Sequence, residues 1–279
     1  MNIVRTIADV RRALDPVRSR DRIGLVPTMG AFHAGHVSLF EAARRETGVV
    51  VVSLFVNPAQ FGDAQDLARY PRDEARDAET AAQHGVDLLF VPEVSEMYQA
   101  GFSSWVTVPG ASDDLEGTFR PGHFRGVATV CLKLFNIVQP NSAYFGQKDA
   151  QQVAVIRQMV RDFDLALQIR VMPTVRDRDG LALSSRNTRL SDAERQRALA
   201  IPRALSAGLT AYRRGADPVA AATTALGDLE PEYVAVADFN GQPTLAIAAR
   251  VGATRLIDNV ALNERSPERP EAVAQETGA

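Results

Sequence analysis

The 279-residue chain holds one cysteine, Cys131. A single thiol excludes an intrachain disulfide and any Cys-rich zinc site. Cys131 lies in the apolar run "VATVCLKLF", the setting of a buried structural thiol rather than of a nucleophile. Lysine is nearly as scarce: Lys133 and Lys148 are the only two, and arginine supplies the remaining basic side chains. In a chain that writes Arg by default, a Lys marks a place where a compact ammonium is wanted. The formal net charge of −3 leaves no basic excess for a nucleic-acid partner. No apolar stretch reaches the length of a membrane span, and "MNIVRTIADVRRALDPVRSRDR" lacks the apolar centre of a signal peptide. Together these absences predict a protein with neither nucleic-acid nor membrane partners, in a reducing cytoplasm.

Missing motifs narrow the chemistry. There is no Walker A loop, no Ser-His-Asp order, no His/Asp cluster at metal-ligand spacing and no G-x-G-x-x-G, which disfavours a dinucleotide oxidoreductase. What is present is the composition of a globular chain, 46% hydrophobic and 23% charged, long enough for one large domain or two of ordinary size. "RIGLVPT", "GVVVVSLFVN", "VDLLFVP", "SAYFGQK" and "LQIRVMPTV" read as strands, several of them apolar enough to be buried on both faces. Between them "GHVSLFEAARRE", "RDEARDAETAAQHG", "GVATVCLKLFNIVQP" and "DAQQVAVIRQMVRDF" read as helices. This alternation predicts an α/β fold, a Rossmann-like doubly wound parallel sheet over residues 1–174. From Val175 the character changes to Ala- and Arg-rich helical stretches, followed by "EYVAVADFNG" and "RLIDNVAL" as strands. These predict a smaller α+β domain over 175–279, with a polar tail that frays from about 264.

In open α/β sheets, ligands gather at the carboxyl ends of strands, where "PTMGAFHAGH", "NPAQF" and "FGQKD" all fall. The first spends two of the four histidines, His33 and His36, around Gly35 where a strand gives way to a helix. Such a segment is either a solvated polar turn or a phosphate-binding helix start, and the strand before and helix after favour the second. Gln60 follows the most buried strand; a lone Gln is often a surface amide, yet it also suits a carboxylate or hydroxyl ligand. "LEGTFRPGHFRG" brings Arg120, His123 and Arg125 before a helix, as an anion-binding loop or a plain one. "GLALSSRNTRL" resembles a mobile phosphate-gripping loop, since the helix after it already has Ser191 as a cap. Several phosphate grips beside neutral amides indicate a nucleotide plus a small polar substrate.

"PTMGAFHAGH", "FVNPAQFG", "YPR", "EGTFRPGHFRGVATVCLKLFN", "FGQKDAQQ" and "GLALSSRN", in this order, resemble the pantoate–β-alanine ligase (pantothenate synthetase) family, over roughly 24–189. The resemblance implies that ATP, (R)-pantoate and β-alanine give pantothenate, AMP and pyrophosphate through a pantoyl adenylate. It implies that Met29, Gly30, Ala31, Phe32, His33, Ala34, Gly35 and His36 bind ATP, with His36 as proton donor. Gly146, Gln147, Lys148, Asp149, Val175, Leu183, Ser184, Ser185 and Arg186 complete that site. Gln60 and Gln152 hold pantoate, with Gln60 also near β-alanine. It further implies Mg2+ on the ATP phosphates, with no protein ligand assigned, and a homodimer. Gln147 stands where the family usually has Glu, which puts a charged role there in doubt. As preorganised donors for an adenylation transition state, His33, His36, Lys148 and Arg186 are the catalytic candidates. Two rivals share the H-x-G-H pattern: an adenylyltransferase that releases pyrophosphate but no AMP, and a nucleotide sensor without turnover.

Overall fold

The computed structural model describes residues 1–239 and 241–263. Six parallel strands form the main sheet: β1 (Asn2–Val4), β2 (Ile23–Thr28), β3 (Val49–Leu54), β4 (Leu88–Phe90), β5 (Ser142–Gly146) and β6 (Gln168–Met172). Their order is β1-β4-β3-β2-β5-β6. Connections from β2 run one way across the sheet and those after β5 run the other, so the topological switch lies between β2 and β5. Loops leaving these two strands therefore open apart and leave a crevice.

Alternation along the strands divides the core. Leu25 and Val51 face one layer with Val10, Leu14, Phe124, Val127 and Leu134. These come from α1 (Ile7–Leu14) and α7 (His123–Val138). Val26, Val50 and Val52 face the other with Phe40 and Ala43 of α2 (Ala34–Glu46) and Ala81, from the helix after α3 (Ala64–Ala68), namely α4 (Glu74–Gln83). The short α5 (Val94–Met97) and α6 (Glu116–Phe119) precede α7, and α8 (Ala150–Asp162) joins β5 to β6.

The C-terminal domain has α9 (Asp192–Ala198), α10 (Ala200–Arg213) and α11 (Pro218–Leu226) on an antiparallel sheet of β7 (Pro231–Asp238), β8 (Pro243–Val251) and β9 (Thr254–Ala261). Its core is separate, built on Ile201, Leu205, Leu226, Leu245, Ile247 and Leu256. Ser191 caps α9 as expected, its hydroxyl accepting from the Glu194 amide at 3.3 Å while the Glu194 carboxylate accepts from the Ser191 amide at 2.9 Å.

The doubly wound parallel sheet and the smaller domain are as the sequence predicts. Other elements go beyond that reading: β1 and α1 occupy the N-terminal stretch, the short helices α3, α5 and α6 lie in stretches read as loops, and β8 is the central strand of the small sheet. "PTLAIAARV" is nearly all buried and Ala-rich, so its side chains carry neither a two-residue alternation nor a helical stripe. Neighbouring strands, rather than local pattern, decide its conformation. The tail expected to fray lies outside the described residues.

Candidate active site

The chain leaves β2 through Gly30 at φ +86° and Ala31 at φ 54°, both left-handed. A Cβ on Gly30 would approach Asp77 Oδ2 to 2.7 Å, so glycine is required there. Asp77, from α4, holds this turn: its buried carboxylate accepts from the Ala31 amide at 2.8 Å and the Phe32 amide at 2.7 Å. Burial nonetheless leaves its pKa raised.

The turn delivers His33 to the N-cap of α2, and main-chain donors fix both imidazoles. The Gly35 amide donates to His33 Nδ1 at 3.1 Å, and the His33 amide donates to His36 Nδ1 at 3.3 Å. With Nδ1 accepting, a neutral ring carries its proton on Nε2. Burial, and then Lys148, pushes His33 down to about 4; burial, His33 and Lys148 push His36 to about 3. Both are therefore neutral near pH 7, with an Nε2–H donor left over. No acidic residue stands in the first turn of α2 to oppose an anion.

The wall beyond β3 is neutral. Asn57 is oriented by the backbone at both ends of its amide: Oδ1 accepts from the Ala59 amide at 3.2 Å, and Nδ2 donates to Gly126 O at 3.1 Å. Tyr98 adds a hydroxyl donor to Oδ1 at 2.8 Å. Nδ2 also donates to Gln60 Oε1 at 3.0 Å, which turns the Gln60 amide so that Nε2 faces Met29 Sδ at 3.0 Å. Sulfur is a weak acceptor, so Nε2 is available to a better one. Gly126 makes the arrangement possible, because a Cβ there would lie 2.3 Å from Ala59 O.

Lys148 and Asp149 follow β5, their nearest charged atoms 3.6 Å apart. Gln152, in the first turn of α8, opens onto the same crevice. From the far side the Ser185–Arg189 turn reaches over, with the Ser184 hydroxyl accepting from the Arg186 amide at 3.2 Å. Arg186 and Arg189 both bind Asp66 of α3, at 2.9 and 3.0 Å, and Ser185 Oγ approaches the Tyr70 hydroxyl at 3.5 Å. Burial would raise Asp66, but the two guanidiniums hold it below the usual carboxylate range.

The crevice has an inner cavity of about 230 Å³ and an outer one of about 380 Å³, which share Arg120, Lys148, Asp149, Ser184 and Arg186. Of the residues expected at the site, the inner cavity brings together Met29, His33, Gly35, His36, Gln60, Gly146, Lys148, Asp149, Gln152, Val175 and Leu183 to Arg186. Gly30, Ala31, Phe32 and Ala34 do not line it; the Ala31 and Phe32 amides point at Asp77. Gln147 also lies off it, 3.5 Å from Asn259 Oδ1, while Asn259 Nδ2 donates to the carbonyls of Gln147 and Lys148. Asp66, Tyr70, Asp77 and Tyr98 are absent from the sequence-based site. Each lies on a helix or loop whose local pattern reads as solvated surface, and only Tyr70 falls in a short motif, "YPR", which assigns it no role. Cys131 is buried, with its thiol pushed up to about 12, so it is no nucleophile. Among the described residues no three His, Cys, Asp or Glu side chains gather to hold a metal, and no helix is long and apolar enough to cross a membrane.

The sequence model described as pantoate-beta-alanine ligase matches residues 2–261. The chain belongs to the pantoate–β-alanine ligase family. It is 50% identical to the pantothenate synthetase of Moorella thermoacetica and 49% to that of Chloroflexus aggregans, covering 94% and 93% of this chain and 99% of each relative. Among solved structures, pantothenate synthetase from Thermus thermophilus superposes with a TM-score of 0.89 at 44% identity, covering 94% of this chain and 99% of the other. The Francisella tularensis pantoate-beta-alanine ligase, complexed with beta-gamma ATP and beta-alanine, gives 0.84 at 35% identity over 95% and 99% of the two chains.

Proposed function

We propose that this chain ligates pantoate to β-alanine, with ATP cleaved to AMP and pyrophosphate, through a pantoyl adenylate. The observation that carries this reading is one crevice with neutral amides on one wall and phosphate donors on the other. Gln60 Nε2 and Gln152 suit the carboxylate and hydroxyls of pantoate, and hold that acid without a competing charge. His33, His36, Lys148, Ser185 and Arg186 supply donors to the phosphates. In the first step the pantoate carboxylate oxygen bonds to the α-phosphorus and the α–β bridging bond breaks, releasing pyrophosphate. Negative charge builds on the leaving oxygens, where Lys148 and the two Nε2–H groups stabilise it as hydrogen-bond donors. In the second step the β-alanine amine attacks the activated carbonyl carbon. The carbon–oxygen bond to AMP breaks, and the nitrogen gives up a proton.

Mg2+, bound to the ATP phosphates, would neutralise part of their charge. Asp149, the one carboxylate among the described residues lining the inner cavity, would be suited to face it. The boundary between the two units falls at 174/175, and a cytoplasmic location accords with an unpaired buried thiol. A homodimer follows from the family resemblance alone and is checked by light scattering. The decisive experiment is isotope exchange: with ATP, Mg2+ and pantoate but no β-alanine, labelled pyrophosphate should return to ATP. AMP should accumulate only after β-alanine is added. No pantoate-dependent exchange, with full activity once the amine is present, would sink the stepwise reading.

A further inference from the structure

His123, first residue of α7, is bonded unlike the two histidines of α2. Its Nδ1 lies 2.9 Å from Gln60 O, and a carbonyl can only accept, so Nδ1 carries the proton. Its Nε2 lies 3.1 Å from Arg120 Nη1, which can only donate, so Nε2 is bare. The ring is neutral and locked in the tautomer opposite to that of His33 and His36. Burial and the Arg120 charge, which push it down to about 4, agree with that.

Arg120 is held in turn. Glu116, one turn earlier and buried, lies 3.8 Å from it. The Glu116 carboxylate is saturated from the C-terminal sheet: Tyr233 of β7 donates at 2.8 Å, and Arg255 of β9 grips both oxygens at 2.6 and 2.7 Å. Burial would raise Glu116, yet this set of donors holds it below its usual range. Leu115, just before it, is kept at φ 49°, a conformation costly for a branched side chain. Gln151 pins that turn, accepting from the Glu116 amide at 3.0 Å and donating to Ala111 O and Asp114 O. A strained turn fixed by a buried amide, with its carboxylate aimed at another domain, is more than packing requires.

The geometry points to His123 as a positioning residue: it sets the Pro58–Gln60 turn, and through Arg120 and Glu116 takes its own position from Tyr233 and Arg255 of the C-terminal sheet. The inference rests on the assignment of Gln60 to pantoate. It gives the C-terminal domain, which would otherwise serve only the ATP side, a hold on the pantoate side.

Three measurements test it. In 15N spectra of histidine-labelled protein near neutral pH, His123 should show the Nδ1–H tautomer and His33 and His36 the Nε2–H form. An Nε2–H or doubly protonated His123 overturns the relay. In steady-state kinetics, His123→Ala should raise the pantoate KM about tenfold while the ATP KM stays within about twofold. His123→Asn, whose amide nitrogen falls near the place of Nδ1, should recover to within about threefold of wild type. Equal losses in Ala and Asn, or parallel rises in both KM values, mean a merely structural role and overturn it. Tyr233→Phe, which removes one donor to Glu116, should raise the pantoate KM about two- to threefold and add little in the His123→Ala background. Full additivity overturns the link to the C-terminal sheet. Gln60→Ala separates the premises: an unchanged pantoate KM there faults the pocket assignment, and the tautomer and the Tyr233 cycle then decide the relay alone.

Discussion

Gln60 and Asn57, on the wall beyond β3, have both ends of their amides assigned before any ligand arrives, by two main-chain groups, a tyrosine hydroxyl, the Met29 sulfur and each other. Lys148 and Arg186, on the facing side, carry full charges, and their partners within the protein are carboxylates: Asp149 at 3.6 Å and Asp66 at 2.9 Å. The contrast follows from what each kind of group tolerates. A neutral amide is fixed cheaply where backbone donors and acceptors are at hand, so it can wait in its working orientation. A desolvated cation needs a counter-charge, so it waits paired, and on the proposed reading it exchanges its carboxylate for phosphate when the nucleotide binds. One wall selects by prior shape and the other by exchange.

The harshest break in this comparison removes the charge that has the least internal compensation. Lys148→Ala should cut pantoate-dependent pyrophosphate exchange by two orders of magnitude or more, about 3 kcal/mol of transition-state stabilisation. Lys148→Arg should rescue poorly, because a planar fork does not replace a compact ammonium. Near-normal exchange in the Ala variant would remove Lys148 from the reacting centre. Next in size, Gln60→Glu should raise the pantoate KM roughly thirtyfold, about 2 kcal/mol, by setting a carboxylate against a carboxylate while leaving ATP binding nearly intact. Calorimetry with each ligand separates the two. Weakened ATP binding with unchanged pantoate binding would mean that the walls have been assigned the wrong way round.

These two residues were legible in the sequence because the chemistry advertises itself locally. A glutamine directly after a buried strand and a rare lysine in "FGQKD" both stand out in one chain. Strands β2 to β5 and helices α2, α7 and α8 were equally plain, since each buries an apolar face, whereas β1 and α1 were not. What stayed hidden is what holds these residues in place. Asp77 reads as one acid among several on a polar helix, and only the fold turns it under the Gly30 turn. Tyr98 lies 41 residues from the asparagine it orients, and Glu116 lies 139 from Arg255. Contacts at such separations leave no trace in spacing. The same holds for β8, which is a strand because β7 and β9 flank it.

Tyr98→Phe sharpens the claim that the neutral wall is preorganised. It deletes one donor to Asn57 and no contact with phosphate, so the pantoate KM should rise about fivefold, near 1 kcal/mol, with kcat for adenylation little changed. An equal fall in kcat with no change in KM would show that the amide pair is not set by this hydroxyl. Asp66→Asn tests the other wall with the opposite sign. Removing the carboxylate that competes for Arg186 and Arg189 should tighten ATP binding about two- to threefold by calorimetry. Weaker binding would mean that Asp66 preassembles the loop rather than occupying its arginine.

The smallest expected effect is an absence of change, and it bears on both histidines of the opening turn. His33 and His36 sit at about 4 and about 3 because burial, helped by Lys148, penalises their charged forms. For a base whose folded pKa is depressed, the folded state favours the neutral ring. Its stabilising contribution is therefore complete above the unfolded value near 6.5 and is lost as the pH falls through the folded values. Between pH 8 and 5.5 the two imidazoles should thus show no titration by NMR in the ligand-free protein, and neither should impose an inflection near 6.5 on kcat/KM for ATP. Adding a nonhydrolysable ATP analogue sharpens the test, because phosphate charge near Nε2 favours the imidazolium and raises both values. Binding should then take up protons increasingly as the pH is lowered from 8 to 5.5. Calorimetry in buffers of different ionisation enthalpy would read that uptake directly. A histidine of this pair that already titrates near 6.5 without ligand would mean that the backbone amides do not fix the rings. The phosphate wall would then be no better organised at its histidines than at its arginine.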